Sequence, residues 1–166
     1  IHQRTGGNPF FTEEVARSLI ESGQLEGSRG AYRLVGQLEG LDVPPSVQGV
    51  LAARIDRLPE REKAVLQAAS VIAREFSEPI LEVAAELDTS PLRGALAELK
   101  SAEFIYEQTL YPVAEYAFKH ALTQEVALGS QLAERRRRTH ARVAGAIETA
   151  HADKLDEQAA LLARHW

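Results

Sequence analysis

The chain has 166 residues, of which 45% are hydrophobic and 26% are charged, as in ordinary globular proteins. Its net charge of −5 provides no basic field that would attract nucleic acid, and the lack of cysteine excludes disulfides, thiolate metal sites and cysteine nucleophiles. Because no apolar run approaches the roughly 20 residues that span a bilayer, and residues 1–15 lack a signal-peptide pattern, we expect a cytoplasmic protein with no membrane partner.

The first predicted helix covers residues 9–22. Asn8 is a favourable N-cap residue, Pro9 suits the first helical position, and Gly23 follows the helix where a C-terminal glycine is common. Apolar residues at a spacing of four place one helix face toward a core, and these residues are Phe11, Val15 and Leu19. The stretch "GGNPFFTEEV" is therefore first of all a capped helix start.

A small β-hairpin and two helices are expected next. Residues 24–36 carry apolar side chains on both sides of a glycine-containing turn, which predicts a surface hairpin. The paired prolines in "GLDVPPSV" break the chain, and apolar spacing then predicts helices over 46–58 and 60–73. We place a first domain, a helical subdomain with a hairpin insertion, at residues 1–58.

Residues 59–130 show the order of a winged helix. After the helix at 60–73, apolar spacing predicts helices at 77–86 and 88–100. The stretches "EFIYEQ" and "EYAFKH" then alternate in side-chain character, which indicates two strands joined by a short turn. Three helices followed by a two-stranded hairpin form the winged-helix order, so we expect a winged-helix domain here.

The remainder of the chain is predicted to be helical, in segments at 119–130, 133–150 and 155–166. The inner side of the second segment is expected to contain Leu132, Val143 and Ile147. Antiparallel helices at the end of the chain suggest the start of a TPR-like helical array over 131–166. The predicted fold class is therefore mainly α, with small β-hairpins.

No motif for catalysis or metal binding is present. GxxxxGK[ST], GxGxxG and HExxH do not occur, and the five histidines have no metal-ligand spacing. A Ser-His-Asp triad is left open by the sequence, although nothing resembles a nucleophile elbow. We therefore expect no catalytic residue, no bound metal and no enzyme activity in this chain.

The basic run "ERRRRTHAR" has two interpretations. Arg135, Arg138 and Arg142 share a helical face, which would suit a patch that contacts phosphate groups. The alternative is a solvated helix face whose arginines pair with acidic residues. No aromatic side chains interleave with the arginines, so base stacking has no support and the pattern favours the solvated face.

A winged helix also raises the question of DNA binding, because the helix before the wing can enter the major groove. The charges of the helix at 88–100 sum to zero. The predicted wing adds the acidic residues Glu103, Glu107 and Glu115. Repulsion from the phosphates would oppose docking, so we do not expect DNA binding through this module.

Two stretches, read together, resemble one family. "GGNPFFTEEVARSLIESG" is similar to the GNPFF signature in the helical lid of bacterial signal-transduction ATPases with numerous domains, which are related to AAA+ proteins. "YAFKHALTQEVALGSQLAERRRRTHARVAGAIE" is similar to a later segment of these proteins, and "VPPSVQGVLAARIDRLPEREKAVLQAASVIAREF" to the junction between their lid and winged helix. The resemblance covers nearly the whole chain, in the same order. Such modules occur in MalT-related LuxR-type regulators and in proteins with class III adenylate or guanylate cyclase domains.

The resemblance implies that this chain is the lid, the winged helix and the first helices of a repeat region. The Walker A and Walker B motifs would precede Ile1, and the absence of methionine also leads us to expect a piece of a larger protein. ATP or ADP, with Mg²⁺, would bind in that larger protein, and no cofactor is expected on this chain alone. The implied partners are an upstream nucleotide-binding core domain in cis, downstream helical repeats and further copies of the same protein.

The resemblance also implies residues that contact the nucleotide. In the family the glycine–proline turn of the lid approaches the adenine or its sugar, a role that maps onto Gly7, Asn8 and Pro9. "FKHALTQEVA" is similar to the Met-His-Asp-Leu pattern of related death and immunity switches in animals and plants. Their histidine reaches the β-phosphate of ADP, which maps onto His120, while Ala121 stands where those relatives have aspartate.

The predicted function is therefore the regulatory part of an ATP/ADP-dependent signal-transduction switch, whose DNA-binding or cyclase output domain lies elsewhere. Two alternatives stay open. The winged helix could be the DNA reader of a transcriptional regulator, although its neutral recognition helix argues against this. The helices at 119–166 could instead be a scaffold that docks protein partners, and exposed apolar area on the last helices would favour that interpretation.

Overall fold

The structure of the protein, a computed structural model, describes these parts of the chain: residues 5–28, 31–35, 44–150 and 159–165. They are mainly helical and contain two small antiparallel sheets, so the predicted mainly-α fold class is confirmed. Contacts divide the chain into two compact units, Ile1–Arg57 and Leu58–Trp166. The region at 131–166, expected to start a helical array, belongs to the second unit.

The described part of the first unit includes two helices and a hairpin. Its elements are α1 (Pro9–Glu21), β1 (Leu25–Ser28), β2 (Ala31–Leu34) and α2 (Val47–Arg57). The strands pair antiparallel, with Leu25 opposite Leu34. Both helices and the hairpin lie where the capping residues and the apolar spacing predicted them, to within a residue or two at each end.

An apolar core joins the helices of this unit. Phe11, Val15, Leu19 and Val50 form one buried cluster, and Leu25 and Val47 pack against it while partly buried. Leu51 and Ile55 of α2 are fully buried as well. The first three residues of the cluster form the predicted apolar stripe of α1. Full burial of one such side chain contributes about 1.5–3 kcal/mol, so these side chains stabilise the unit together.

A buried ion cluster joins α1 to α2. The Arg54 side chain is 1% exposed, and it binds Glu14, which is 2% exposed, and the more accessible Glu21. Its Nε donates to both carboxylate oxygens of Glu21 at 3.0 Å, and its Nη1 donates to Glu14. Burial alone lowers the pKa of Arg54, but hydrogen bonding to Glu21 and the charges of both glutamates outweigh it and raise the pKa. The guanidinium therefore stays charged inside the unit.

The second unit begins with elements in the order helix, strand, helix, helix, strand, strand. These are α3 (Glu60–Ile72), β3 (Glu75–Ser77), α4 (Glu78–Ala85), α5 (Thr89–Ser101), β4 (Ile105–Thr109) and β5 (Glu115–Phe118). The sheet has the order β3-β5-β4, and both strand pairs are antiparallel. This order and pairing are those of a winged helix, with α5 in the position of the recognition helix and β4 and β5 as the wing.

Strand β3 was not predicted from the sequence, which indicated only the two wing strands in this unit. Its three residues are too few to show alternation, and its formation depends on pairing with β5. Phe76 of β3 is buried opposite Tyr116, with ring centroids 6.1 Å apart, and it meets Phe118 edge-on at 5.7 Å. Three aromatic rings thus hold β3 against the wing.

The remaining described elements of this unit are α6 (Ala121–Gly129), α7 (Ala133–Ala150) and α8 (Ala159–His165). Helix α7 packs against α3 and α4, with Val143 and Ile147 buried as predicted. Helix α8 packs on α7, and residues 155–158 and 166 of the predicted last helix lie outside the described residues. In the described parts of the chain, no helix is both long enough and apolar enough to cross a membrane.

The prediction that Leu132 lies on the inner side of α7 is wrong, because Leu132 is 80% exposed. It precedes the first residue of α7, and the buried position belongs to its neighbour Gln131. The Gln131 amide donates to the carbonyl oxygen of Gln67 at 3.0 Å and to the hydroxyl of Ser70 at 3.2 Å. A pattern of apolar residues cannot indicate that a polar side chain is buried. It therefore pointed to Leu132 and not to Gln131.

Replacing Arg54 by methionine should destabilise the first unit, because Glu14 would then be buried without its counter-charge. Removing one partner of a buried ion pair costs about 3–5 kcal/mol. Hydrogen exchange of the α1 and α2 amides measures this loss as a change in the free energy of local unfolding. Arg57→Met is the matched control on the same helix, since Arg57 is exposed and its Nη1 donates to the Ser18 hydroxyl at 3.0 Å.

The double variant Arg54→Met/Glu14→Leu should recover most of the lost protection, because it removes both buried charges together. Equal losses in Arg54→Met and Arg57→Met would show that the buried cluster has no special role.

Candidate functional site

The turn before α1 contains the three residues that the resemblance assigns to nucleotide contact. Gly6 and Gly7 have φ values of 57° and 78°, in the left-handed region that favours glycine. A Cβ added to Gly6 would meet no atom within 4 Å, so the backbone conformation, and not crowding, favours glycine there. Residues 6–9 are exposed. The turn therefore presents an accessible backbone surface.

The polar groups of this turn bond to one another. Asn8 Oδ1 accepts from the Phe11 N–H at 3.1 Å, so Asn8 is the predicted N-cap. The Asn8 carbonyl oxygen accepts from the N–H and the hydroxyl of Thr12, both at 2.9 Å, and this hydroxyl lies 2.9 Å from that of Thr5. The Phe11 N–H, a donor that a helix start can offer to an anion, is already engaged. The accessible features are the glycine backbone and the ring of Pro9.

His120 lies in the second unit, directly after β5 and before α6. The residue is half-buried, and among the described residues its side chain forms no capping hydrogen bond with α6. Its carbonyl oxygen accepts from the Thr123 N–H at 3.0 Å, and Ala121 is the first residue of α6. The glycine turn at residues 6–9 and His120 belong to different units, so their joint role in one nucleotide site stays a prediction.

Two cations of α5, the helix in the recognition position, are paired with glutamates. Arg93 Nε donates to Glu78 Oε1 at 2.8 Å, and Lys100 Nζ donates to Glu107 Oε2 at 2.7 Å. Pairs with this degree of exposure contribute little to stability. Their consequence is electrostatic, because they neutralise the positive charges that docking on DNA phosphates would require.

Tyr116 of β5 is buried beside both ion pairs. Its hydroxyl donates to Glu78 Oε2 at 3.4 Å, and Lys100 Nζ lies 5.9 Å from its ring centroid. Burial raises the pKa of the Tyr116 phenol, and the negative charges of Glu78 and Glu107 raise it further. The phenol therefore stays neutral. The Glu78 carboxylate lies between the Tyr116 hydroxyl and the Arg93 guanidinium.

The turn of the wing exposes apolar side chains that the sequence analysis did not single out. Leu110 is 69% exposed, Tyr111 86% and Val113 41%. The signal was present in "TLYPV", which places apolar residues in a turn, where polar residues are usual. Exposed apolar groups at a wing tip suit contact with protein and not with a phosphate backbone.

Two arginines of α7, Arg138 and Arg142, form the ion pairs expected of a solvated helix face. Arg138 pairs with Glu134 one turn earlier, and Arg142 pairs with Glu86, which follows α4. Hydrogen bonding to Arg142 and its charge lower the pKa of Glu86, and the charge of Arg138 adds to this effect. Together with Arg135, these side chains border a cleft between α3, α4 and α7, which the sequence alone did not reveal.

Metal ligands are not clustered in the described parts of the chain, where no three His, Asp or Glu residues could hold an ion together. His140 and His165 approach each other, with Nδ1 atoms 2.9 Å apart. Their contact is a hydrogen bond between rings of α7 and α8, in which one ring nitrogen donates and the other accepts.

A comparison of the chain with protein-family models finds no match, and a comparison with curated proteins finds none either. The case for a function therefore depends on the residues and contacts described above.

Tyr116 should ionise above the usual pH range of a tyrosine, because burial and two carboxylates raise its pKa. A spectrophotometric tyrosinate titration should show a late component that is absent from Tyr116→Phe. The matched control Tyr111→Phe should keep it, since the Tyr111 side chain is exposed. Simultaneous titration of all four tyrosines would contradict this expectation.

The same pKa shift makes stability depend on alkaline pH. The folded-state pKa of Tyr116 lies above the unfolded value of about 10. Its contribution to stability is therefore complete below about pH 10 and is lost as pH rises through the folded-state pKa. Wild-type protein should lose stability more steeply in this window than Tyr116→Phe.

Proposed function

We propose that this chain is the regulatory lid and winged-helix part of a nucleotide-dependent signal-transduction switch. ATP or ADP, with Mg²⁺, would bind in an upstream core domain of the same polypeptide. The chain would couple the nucleotide state to an output domain elsewhere in that polypeptide. The observation that carries the proposal is the exposed turn at residues 6–9, where two left-handed glycines precede the Asn8 cap and Pro9.

A turn of this kind suits the base or the sugar of a nucleotide better than its phosphates. Its Phe11 N–H is engaged by Asn8, so one of the helix-terminal donors that anions use is occupied. The exposed ring of Pro9 can pack against a flat base, and Gly6 and Gly7 let a ligand approach the backbone closely. The phosphates would then be held by groups of the core domain and by His120.

The surface of the winged helix also supports the proposal. Arg93 and Lys100 of α5 are paired with glutamates, and the wing tip exposes Leu110 and Tyr111. Such a surface favours packing against another protein domain over docking on DNA. A winged helix packed in this way could hold the core domain in a closed arrangement.

In the proposed cycle, ADP stabilises a closed packing of the lid and winged helix on the core domain. Exchange of ADP for ATP favours an open packing and self-association. The switch requires that the two packings differ in affinity for the two nucleotides, because a ligand shifts an equilibrium only through such a difference. The output is transcriptional regulation or cyclic-nucleotide synthesis by another domain, and this chain itself carries out no reaction.

A protein scaffold is the alternative that the last helices favour. Leu132 before α7 is 80% exposed. The apolar residues Ile80, Val83 and Ala146 border a shallow groove between α4 and α7. Exposed apolar area of this kind suits a docked protein segment. Under the main proposal the same surface would contact the downstream helical repeats.

Pro9→Ala should weaken ADP binding about tenfold, or ~1.4 kcal/mol, in the longer protein that includes the core domain. The reason is the loss of rigid ring surface against the base or ribose. Titration with a fluorescent ADP measures the affinity, and circular dichroism of the present chain checks that its fold is kept. Pro79→Ala is the matched control, since Pro79 is also exposed and also stands in the first turn of a helix, α4.

Equal ADP affinities of the Pro9→Ala and Pro79→Ala proteins would mean that the turn is only a helix cap. His120→Ala supplies an independent measurement, because it should weaken ADP more than AMP, which has no β-phosphate. Equal losses for the two nucleotides would remove His120 from the site.

The DNA-binding alternative predicts salt-sensitive duplex binding, which we do not expect from this chain. Mobility-shift assays with mixed-sequence duplexes at low ionic strength provide the measurement. Glu107→Gln/Glu115→Gln should increase the weak residual affinity, because it removes negative charge from the wing. Tight wild-type binding that weakens steeply with salt would instead make the winged helix a DNA reader.

A further inference from the structure

The cleft between α3, α4 and α7 has features of a binding site that the proposed function does not use. Its volume is about 470 Å³, within the range of small-molecule sites. Four alanines of α3 and α4 and the side chain of Leu132 form its apolar part. Arg135, Arg138 and Arg142 of α7 line it together with the carboxylates of Glu86 and Glu134. Three arginines against two glutamates leave one net positive charge, and the small alanine side chains leave room for an anion.

The three arginines follow one face of α7, because they are separated by three and four residues. With a rise of 1.5 Å per residue, about 10 Å of helix axis separates the first from the last. A single phosphate group does not span this distance. A chain of two or three phosphates presents oxygens along most of it.

Arg142 is held in position before any ligand arrives. Its side chain is 28% exposed, pairs with Glu86 and donates from Nη2 to the Thr139 hydroxyl at 3.1 Å. That hydroxyl donates in turn to the Arg135 carbonyl oxygen at 3.1 Å. Glu86 has a φ of 55°, a left-handed backbone conformation that is uncommon outside glycine. Its carboxylate binds the guanidinium of Arg142 and holds it in place. Such pre-organisation lowers the entropic cost of binding.

Arg138 and Arg135 are the accessible cations of the cleft. Arg138 is 72% exposed and pairs with Glu134, which is 77% exposed, and ion pairs this exposed are weak. An anion of higher charge density can therefore compete for Arg138. Arg135 is exposed at the same cleft. Each guanidinium has five N–H donors in a fork that matches phosphate oxygens, so both can bind a ligand.

We propose that this cleft binds an oligophosphate, either as a free inorganic ion or as the phosphate chain of a nucleotide. None of the described residues that line it is aromatic, so recognition depends on phosphate charge and not on a base. Exposed arginines on a chain of net charge −5 make the binding weak, with a dissociation constant on the order of 0.1–1 mM at low salt. The site involves none of the residues at 6–9.

The test is an NMR titration of the ¹⁵N-labelled chain with inorganic triphosphate at low ionic strength. We expect chemical-shift changes at the amides of α7 between 135 and 142 and at the end of α4, with weaker binding as salt is added. ATP should bind within about threefold of inorganic triphosphate, and adenosine should not bind, because the base adds no contact. The ATP and triphosphate titrations thus distinguish the two sources of phosphate.

Two double variants of α7 separate the cleft from the general charge of the helix. Arg135→Gln/Arg138→Gln should weaken triphosphate binding at least about tenfold. Arg136→Gln/Arg137→Gln removes the same charge from positions that do not line the cleft, and its affinity should stay within about threefold of wild type. Circular dichroism should show an unchanged fold, since Arg135 and Arg138 are exposed.

Equal weakening in the two double variants would overturn the proposal, because the charge of α7 and not the cleft would attract the anion. Shift changes spread beyond the cleft, or none at about 10 mM triphosphate, would overturn it as well. Tighter binding of a polyglutamate peptide than of triphosphate would assign the cleft to acidic peptides. The experiment uses the whole chain and changes residues of α7 only. Its failure therefore leaves the ADP measurements on the Pro9 variants unaffected.

Discussion

Helix α3 packs against β3, α4, α5, α6 and α7, and the second unit depends on how the polar groups of this helix are satisfied. Gln67 and Ser70 are buried there, where a polar group without a partner would cost about 1–3 kcal/mol. Gln131 donates to the Gln67 carbonyl and the Ser70 hydroxyl, and Gln124 donates to the Ser70 carbonyl at 3.1 Å. These amides fix α6 and the start of α7 on α3. They thereby position His120, which precedes α6, and the face of α7 that carries Arg135, Arg138 and Arg142.

In the first unit, charged groups have the corresponding role. Helices α1 and α2 share an apolar core, and Arg54 connects them through Glu14 and Glu21. A rotation of α1 against α2 would separate Glu14 from its counter-charge while both are buried, so the pair defines one arrangement of the helices. Because α1 begins at the exposed glycine turn, the same cluster also holds the turn that the proposed function places against a nucleotide.

Several charged groups of the second unit are paired within it. Glu86 and Glu103 follow α4 and α5 with φ values of 55° and 56°. Each pairs with a cation later in the chain, Glu86 with Arg142 and Glu103 with Lys119. The cations of α5 are paired as well. Few positive charges therefore face a DNA backbone at the wing, whose turn exposes the apolar residues Leu110, Tyr111 and Val113. The exposed side chains of Arg135 and Arg138 on α7 provide the positive charge that the proposed anionic ligand would bind.

The sequence by itself determined the helices, because caps, prolines and apolar spacing act within a few residues of one another. Asn8 and the stripe from Phe11 were enough to place α1, and alternation placed the wing strands. Only the tertiary structure decided that β3 forms, through pairing with β5, and that Gln131 is buried in place of Leu132. The Asn8 cap of the candidate site is local and was predicted, whereas the cleft is assembled from three helices. Contacts of that kind depend on packing between residues far apart in the chain. The spacing of residues within one segment therefore does not predict them.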